Sequence, residues 1–180
     1  MNNKKRMLLH CCCAPCASYV LEHLVSEYDI TAFFYNPNIE PRAEYDKRKN
    51  ELQKLLSAAE FASYVELLDN EYENEAFVNA VTSYRDQKEG EKRCLICFEM
   101  RLEKTAQAAT SGKYDIFATT MSVSPLKNAR ILNEIGIRLS EEFAVEYLSA
   151  DFKKKNGYLR SVDLSKQYKI YRQEYCGCES

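Results

Sequence analysis

The sequence lacks any long apolar run. A basic segment at residues 4–6 precedes an apolar stretch at residues 7–9, which ends at His10 and a run of cysteines. This stretch is too short and too polar for the core of a signal peptide, and no other stretch approaches the length of a transmembrane helix. The sequence therefore predicts a cytoplasmic protein with no membrane partner.

An excess of charge of either sign is also missing, as are internal repeats and low-complexity segments. The formal net charge is −2, so a global basic field that would attract nucleic acid is excluded, and any such binding must use a local patch. A chain of 180 residues is long enough to bury about 70% of its unfolded surface without disulfide staples. We therefore expect residues 1–180 to form a single domain.

What the sequence does have is cysteine, in three compact groups. The eight cysteines are Cys11, Cys12, Cys13 and Cys16, then Cys94 and Cys97, then Cys176 and Cys178. In the cytoplasm such groups are more often metal-binding or catalytic than structural disulfides. The pattern therefore predicts a functional site, and we interpret it as a soft-metal redox centre of the iron–sulfur type.

The spacing of the cysteines leaves several kinds of site open. Thiolate-only ligation favours zinc, copper(I) or iron–sulfur clusters, and a four-thiolate zinc site would leave half of the cysteines unexplained. Neighbours on an extended strand face opposite sides, so Cys11, Cys12 and Cys13 are not expected to face one ion together. The alternatives are more than one metal centre, one centre with additional thiols, structural zinc, or a dithiol that switches to a disulfide bond.

Short apolar runs alternate with amphipathic segments along the chain. Strands are predicted at residues 7–13, 30–35, 61–68, 116–120 and 145–149, with helices between them. Ser124 and Pro125 are expected to begin the helix before the fifth strand. Ser161 is expected to begin a last helix that runs through Tyr175 and ends at Gly177. Strands separated by helices imply βαβ units, so the predicted fold is α/β with a parallel sheet of about five strands and flanking helices.

In such a sheet, ligands bind beyond the carboxyl ends of the strands. The first cysteine group leaves the first predicted strand at this edge, and Asn36, Asp69, Ser122 and Asp151 leave the other strands there. Residues 94–97 lie in the connection after the third strand and can reach the same edge. We therefore expect the metal site at the carboxyl ends of the strands.

Basic and aromatic residues are interleaved near the end of the sequence. They are Lys153, Lys154, Lys155, Tyr158, Arg160, Lys166, Tyr168, Lys169, Tyr171 and Arg172. This composition suits phosphate contacts and base stacking, although a solvated helix face with core tyrosines would give the same pattern. Residues 153–155 directly follow the fifth predicted strand and hence lie near the cysteines, which favours nucleic-acid binding.

Five motifs, in order from residue 7 to the end of the chain, resemble one known family. They are His10-x-Cys12-Cys13-Ala14-Pro15-Cys16, Cys94-x-x-Cys97-Phe98-x-x-Arg101-Leu102, Thr119-Thr120-x-x-x-Ser124-Pro125-x-Lys127-Asn128, Asp151-Phe152-x-Lys154-x-x-Gly157-Tyr158-x-Arg160-Ser161, and Tyr171-Arg172-Gln173-x-Tyr175-Cys176-Gly177-Cys178. Together they resemble the QueH-type epoxyqueuosine reductases, the cobalamin-independent enzymes of the last step of queuosine synthesis in bacterial tRNA. The resemblance implies a fold similar to the nucleotide-hydrolase-like PP-loop group, with a [4Fe–4S] cluster and an adjacent mononuclear iron.

Carried over by position, the resemblance implies that all cysteines except Cys11 are metal ligands. The expected cluster ligands are Cys13, Cys16, Cys94 and Cys97, and the expected ligands of the single iron are Cys12, Cys176 and Cys178. The alternation of side chains along a strand separates Cys12 from Cys13 but does not say which metal each binds.

The implied reaction removes the epoxide oxygen from the cyclopentane ring of a modified wobble base in tRNA and leaves an alkene. It needs two electrons, two protons and activation of the epoxide oxygen. An iron–sulfur cluster would deliver the electrons, which come from an unidentified donor, and a Lewis-acidic iron would activate the oxygen. The candidate proton donors are Asp151, Tyr158 and Lys127. A tyrosine is expected to stack on the base, and residues 153–155 with Arg160 are expected to hold phosphates.

Two other classes of protein remain as alternatives. A PP-loop tRNA sulfur transferase should carry a glycine-rich turn after its first strand to cradle ATP phosphates, whereas this chain has a cysteine-rich segment there, at residues 11–16, with no glycine. A non-enzymatic zinc module that binds RNA or protein is the second alternative. The metal content separates it from an iron–sulfur enzyme.

Overall fold

The computed structural model describes residues 4–178, which contain five strands and six α-helices. The strands are β1 (Lys5–His10), β2 (Tyr28–Phe33), β3 (Glu66–Leu68), β4 (Ile116–Thr119) and β5 (Glu146–Tyr147). The helices are α1 (Ala14–Leu24), α2 (Arg42–Ala58), α3 (Asn74–Val81), α4 (Lys92–Ser111), α5 (Ala129–Phe143) and α6 (Gly157–Gln167). None of the helices in the described part of the chain is long and apolar enough to cross a membrane.

The strands form one sheet with the order β3-β2-β1-β4-β5, and every pairing is parallel. β1 is central, with Met7 opposite Ile30 on one side and opposite Ile116 on the other. Strands β2 and β3 are added on one side of β1, and β4 and β5 are added on the other side. In open α/β sheets, ligands bind at the carboxyl ends of the two strands where the order switches in this way, which here are β1 and β4. The predicted α/β fold with a five-strand parallel sheet is confirmed.

Apolar side chains cover both faces of the sheet. Because successive strand residues point to opposite sides, Met7 and Leu9 pack with residues of α1 and α2, whereas Leu8 packs with residues of α4 and α5. Helix α6 packs on α1, and α3 packs on α4. Since helices cover both faces, the carboxyl edge of the sheet is left for a site.

Several predicted boundaries were wrong. The first strand ends at His10 rather than at residue 13, because Cys13 already stands at the N-cap of α1. The third strand covers only three residues, Glu66–Leu68, since a 3-10 turn occupies Glu60–Ala62. The alternation of side chains along a strand therefore does not apply to residues 11–13.

Helix α5 begins at Ala129 and not at Ser124. The Asn128 side chain is its cap, because Oδ1 accepts hydrogen bonds from the backbone N–H groups of Arg130 and Ile131. Gly136 lies where the helix approaches the sheet, and a Cβ atom there would lie 2.3 Å from the Tyr147 ring. The glycine thus allows α5 to pack closely on β5.

The last helix also differs from the prediction. Helix α6 begins at Gly157, and Ser161 lies inside it, with Oγ donating a hydrogen bond to the carbonyl of Tyr158. It ends at Gln167, and Lys169 then adopts a left-handed conformation with φ of 52°. Residues 168–178, here named the C-terminal tail, therefore leave the helix and run over α2 towards the carboxyl edge of the sheet.

Candidate metal centre

Three cysteine sulfurs lie together where the chain passes from β1 into α1. The Sγ atoms of Cys12, Cys13 and Cys16 all lie within 4.8 Å of one another, and they are named the thiol trio. The Sγ atoms of Cys12 and Cys13 are 3.8 Å apart, which matches the separation of about 3.8 Å expected for two thiolates bound at about 2.3 Å to one tetrahedral metal. In residues 4–178 this is the only group of three such ligand residues so close together.

The thiol trio is held by the strand on one side and the helix on the other. The backbone N–H of Cys12 donates to Thr120 Oγ1 over 3.1 Å, and the two side chains are in hydrogen-bond contact at 3.3 Å. Hydrogen bonds from Cys12 and then from Cys16 lower the pKa of Cys13 well below the usual range. Cys13 is therefore the member of the trio that most readily becomes the thiolate a metal requires.

A second group of sulfurs forms where α4 meets the C-terminal tail. Cys97, Cys176 and Cys178 pack in one apolar cluster with Phe77 and Val81, and these three cysteines are named the tail thiol group. The Sγ atoms of Cys176 and Cys178 are 3.4 Å apart. The Cys178 thiol and, further, the Lys127 ammonium lower the pKa of Cys176 to about 5.

The remaining cysteines are placed apart from these groups. Cys94 packs on the α4 and α5 side of the core, and its Sγ accepts a hydrogen bond from the Gly90 N–H over 3.2 Å. Cys11 is fully buried and donates to the Leu9 carbonyl, as expected for a cysteine without a ligand role. All eight cysteines are free thiols, so the disulfide bond that was considered among the alternatives is not found.

A buried arginine lies between the two groups. Arg101 of α4 is 4% exposed. It donates to Asn36 Oδ1 over 2.6 Å and contacts Cys97 Sγ at 3.7 Å. Burial alone would lower the pKa of Arg101, but the nearby sulfurs of Cys97 and Cys12 raise it above its usual value. The guanidinium therefore stays charged and favours ionised sulfurs around it.

The sulfurs face a cavity of about 560 Å³, a size in the range of sites for small organic ligands. Cys12, Cys13, Cys16 and Cys176 line it. Cys94, Cys97 and Cys178 are buried and do not belong to its lining. The lining also includes exposed side chains with large apolar parts, namely Leu126, Tyr158 and Tyr175.

The three predicted proton donors lie in different surroundings. Lys127 lines the cavity, and its Nζ lies 2.6 Å from Glu89 Oε1 and 3.8 Å from Cys176 Sγ. Burial alone would lower the pKa of Lys127, but Cys176 and Glu89 raise it above its usual value. Tyr158 also lines the cavity, whereas Asp151 is outside the lining and forms an ion pair with Lys153.

The predicted phosphate-binding residues are also placed differently. Arg160 forms a two-pronged ion pair with Glu22, at 2.5 and 2.9 Å, so its charge is already compensated. Lys153 Nζ donates to the Lys127 carbonyl and contacts Asp151. Arg172 instead lines the cavity, and its guanidinium lies over the Tyr158 ring at 5.7 Å.

The site thus fits a metal–thiolate group by the chemistry of its donors. Three sulfurs lie at ligand spacing, a fourth lines the same cavity, and a buried cation faces them without a carboxylate partner among the described residues. Sequence reasoning missed Arg101, Glu89 and Gln173 as site residues. Arg101 and Gln173 do stand in the motifs, each within four residues of a predicted ligand, and this position was the available signal.

The fold and the site together define an α/β protein with a candidate metal-binding site at the carboxyl edge of a parallel sheet. Comparison with known proteins is more specific. The family described as epoxyqueuosine reductase QueH matches residues 7–180. The chain therefore belongs to the epoxyqueuosine reductase QueH family, which is a family of oxidoreductases.

Individual relatives agree over almost the whole chain. The epoxyqueuosine reductase QueH of Streptococcus pyogenes serotype M1 is 42% identical over 96% of this chain and 68% of its own length. That of Staphylococcus aureus is 41% identical over 97% of this chain and 75% of its own length. That of Thermotoga maritima is 39% identical over 96% of this chain and 88% of its own length.

Proposed function

We propose that this protein reduces the epoxide of epoxyqueuosine in tRNA to the alkene of queuosine, in the cytoplasm, as one domain over residues 1–180. The observation that carries the proposal is the thiol trio in the wall of a nucleoside-sized cavity, in a chain that belongs to the epoxyqueuosine reductase family. The absence of a glycine-rich turn after β1 argues against the sulfur-transferase alternative.

The cofactors in this proposal are a [4Fe–4S] cluster and a mononuclear iron, held by Cys12, Cys13, Cys16, Cys94, Cys97, Cys176 and Cys178. When bound, they would supply the two electrons, received from a separate donor, and a Lewis acid for the epoxide oxygen. The observed grouping supports a partition different from that expected from the motifs, with the thiol trio in one centre and the tail thiol group in the other. Because the thiol trio and the tail thiol group both lie near Arg101, the cluster and the single iron would be neighbours at this edge of the sheet.

The protein's own side chains would bind the substrate and manage its charge. Tyr158 and Tyr175 are 37% and 43% exposed at the cavity, so each offers a ring for stacking on a base. Arg172 over the Tyr158 ring places positive charge where a phosphate backbone would pass.

Lys127 is the proposed donor at the reacting oxygen. Its raised pKa keeps the proton on Nζ at neutral pH, so it can hold a hydrogen bond to an oxygen that gains negative charge. Glu89 fixes the position of Nζ from the other side. Tyr158 is the second proposed proton donor. Asp151 is a third candidate that would reach the substrate only if it left its ion pair with Lys153.

The first test is iron, zinc and sulfide analysis of anaerobically purified protein, followed by reduction of epoxyqueuosine-containing tRNA with a chemical reductant. Cys97→Ala should abolish reduction and lower the iron content, because Cys97 is a proposed ligand. Cys11→Ala is the matched control, since Cys11 is also buried but its thiol packs in the apolar core and donates to the Leu9 carbonyl. Full activity in Cys97→Ala would contradict the ligand assignment. Zinc without sulfide, persisting after anaerobic iron reconstitution, would favour the zinc-module alternative.

A further inference from the structure

Arg101 carries a buried positive charge with too few partners. Nη2 donates to Asn36 Oδ1 and Nη1 contacts Cys97 Sγ, but the buried Nε atom has no hydrogen-bond partner. No carboxylate within residues 4–178 forms an ion pair with it. By contrast, the other buried arginine, Arg48, pairs with Glu44 Oε1 at 2.7 Å.

An uncompensated buried cation is one of the most costly features a protein can contain. The compensating negative charge at Arg101 must therefore come from neighbouring groups other than carboxylates. The neighbours that can become negative are sulfurs, since Cys12, Cys97 and Cys176 all interact electrostatically with the guanidinium. These three cysteines come one from each cysteine group of the sequence.

Lys127, the second cation of the site, differs from Arg101 because it has a carboxylate partner. Lys127 also contacts Cys176, but its charge is compensated by Glu89 at 2.6 Å. Removal of Lys127 would therefore leave the Glu89 carboxylate unpaired beside the sulfurs, whereas removal of Arg101 would leave no unpaired carboxylate among the described residues. Arg101 is the side chain whose charge is committed to the thiolates.

We propose that Arg101 is a positioning residue that balances the negative charge of the metal–thiolate centre and raises its reduction potential. A fixed positive charge in a low-dielectric interior stabilises the more negative, reduced form of a redox centre over the oxidised form. This inference rests on the proposed iron–sulfur function.

The test compares three variants purified and reconstituted anaerobically: Arg101→Gln, Arg101→Lys, and Arg130→Gln as control. Arg130 lies on α5, is exposed, and forms a surface ion pair with Glu134. The readouts are iron and sulfide content and the midpoint potential from a redox titration followed by electron paramagnetic resonance. We expect a lower potential and a lower iron content in Arg101→Gln, values closer to wild type in Arg101→Lys, and no change in Arg130→Gln.

The outcomes separate this inference from the function on which it rests. A fully loaded Arg101→Gln with the wild-type potential would overturn the role of Arg101. Loss of iron from Arg101→Gln together with retention of iron in Arg101→Lys supports the role of the Arg101 charge. Loss of iron from both variants, while both remain folded, would overturn that role and show that the shape of the guanidinium is required instead. A wild-type protein that binds no iron would overturn the proposed function itself.

Discussion

His10 shows how a histidine beside the site is used for structure. It is fully buried, and its Nε2–H donates to the Tyr35 carbonyl over 3.0 Å, so Nδ1 is the acceptor for the Thr119 hydroxyl at 2.9 Å. Burial and then the Arg101 charge lower the pKa of His10 to about 3. Both ring nitrogens are thus occupied by protein partners, and the ring orders the ends of β1, β2 and β4 under the cysteines.

The pH dependence of stability should reflect this neutral ring. Above pH 6.5 His10 is neutral in the folded and unfolded states, and as the pH falls towards 3 only the unfolded chain takes up a proton. Stability is therefore lost on acidification, by about 1.4 kcal/mol at pH 5.5 from this residue. Urea unfolding of metal-free protein at pH 7.5 and 5.5 measures the loss, and an NMR titration of the ring checks its origin. A His10 ring that titrates near pH 6.5 would contradict the assignment.

At the scale of elements, helix α2 anchors the C-terminal tail. The buried pair of Glu44 with Arg48 continues into the tail, because Tyr171 Oη donates to Glu44 and an Arg48 N–H donates to the Tyr175 carbonyl. The Glu40 N–H donates to the Gly177 carbonyl, and a Cβ at Gly177 would lie 2.8 Å from Ile39 Cγ1. The position of Cys176 and Cys178 therefore depends on α2 and the turn before it.

Glu44→Ala should loosen the tail, because it leaves Arg48 buried without its carboxylate, at a cost of roughly 3–5 kcal/mol. Asp46→Ala is the matched control on the same helix, since the pair of Arg42 with Asp46 is exposed and has the same i,i+4 spacing; we expect less than about 1 kcal/mol there. Chemical unfolding and limited proteolysis of the tail measure both effects. Equal, small effects in the two variants would show that the buried pair does not hold the tail.

The sequence predicted the repeating elements better than their ends. The alternation of strands and helices and the parallel sheet follow from apolar periodicity, which the core requires. Ser124 and Ser161 are reasonable caps by type, but the side chain that caps α5 is that of Asn128. Helix α6 instead follows the left-handed Asn156, which makes no capping hydrogen bond through its side chain. The tyrosines at residues 168, 171 and 175 have helical spacing, yet Tyr171 and Tyr175 pack under Lys47 and Arg48 of α2.

The site was predicted in its residue types and less in its grouping. Cysteines are rare enough for their clusters to indicate a site, and the structure brings six of them into two groups of three. Which sulfurs lie together depends on where β1 ends and on how the tail crosses α2, and neither is visible in local spacing. Arg101 was not assigned a role, because its significance lies in the absence of a nearby carboxylate.

At the scale of the whole molecule, metal binding should stabilise the fold, because the proposed ligands come from the β1–α1 turn, from α4 and from the tail. A ligand that binds only the folded state stabilises it by about 2.7 kcal/mol at a free concentration of 100 Kd. We expect anaerobic iron reconstitution to raise the unfolding temperature, and chelation to lower it again. A Cys11→Ala protein should respond like wild type. Identical unfolding temperatures with and without iron would contradict a centre that joins these segments.

The central place of β1 has a consequence for how the chain must be made. This strand precedes the other four along the chain and pairs with β2 within a few tens of residues, but its other neighbour, β4, pairs Met7 with Ile116. Long-range parallel pairing of this kind is slow. The three adjacent cysteines beyond β1 therefore stay uncovered in the nascent chain, where oxidation would join them into wrong disulfides. The architecture thus ties correct assembly of this protein to a reducing environment until β4 has been made and has paired with β1.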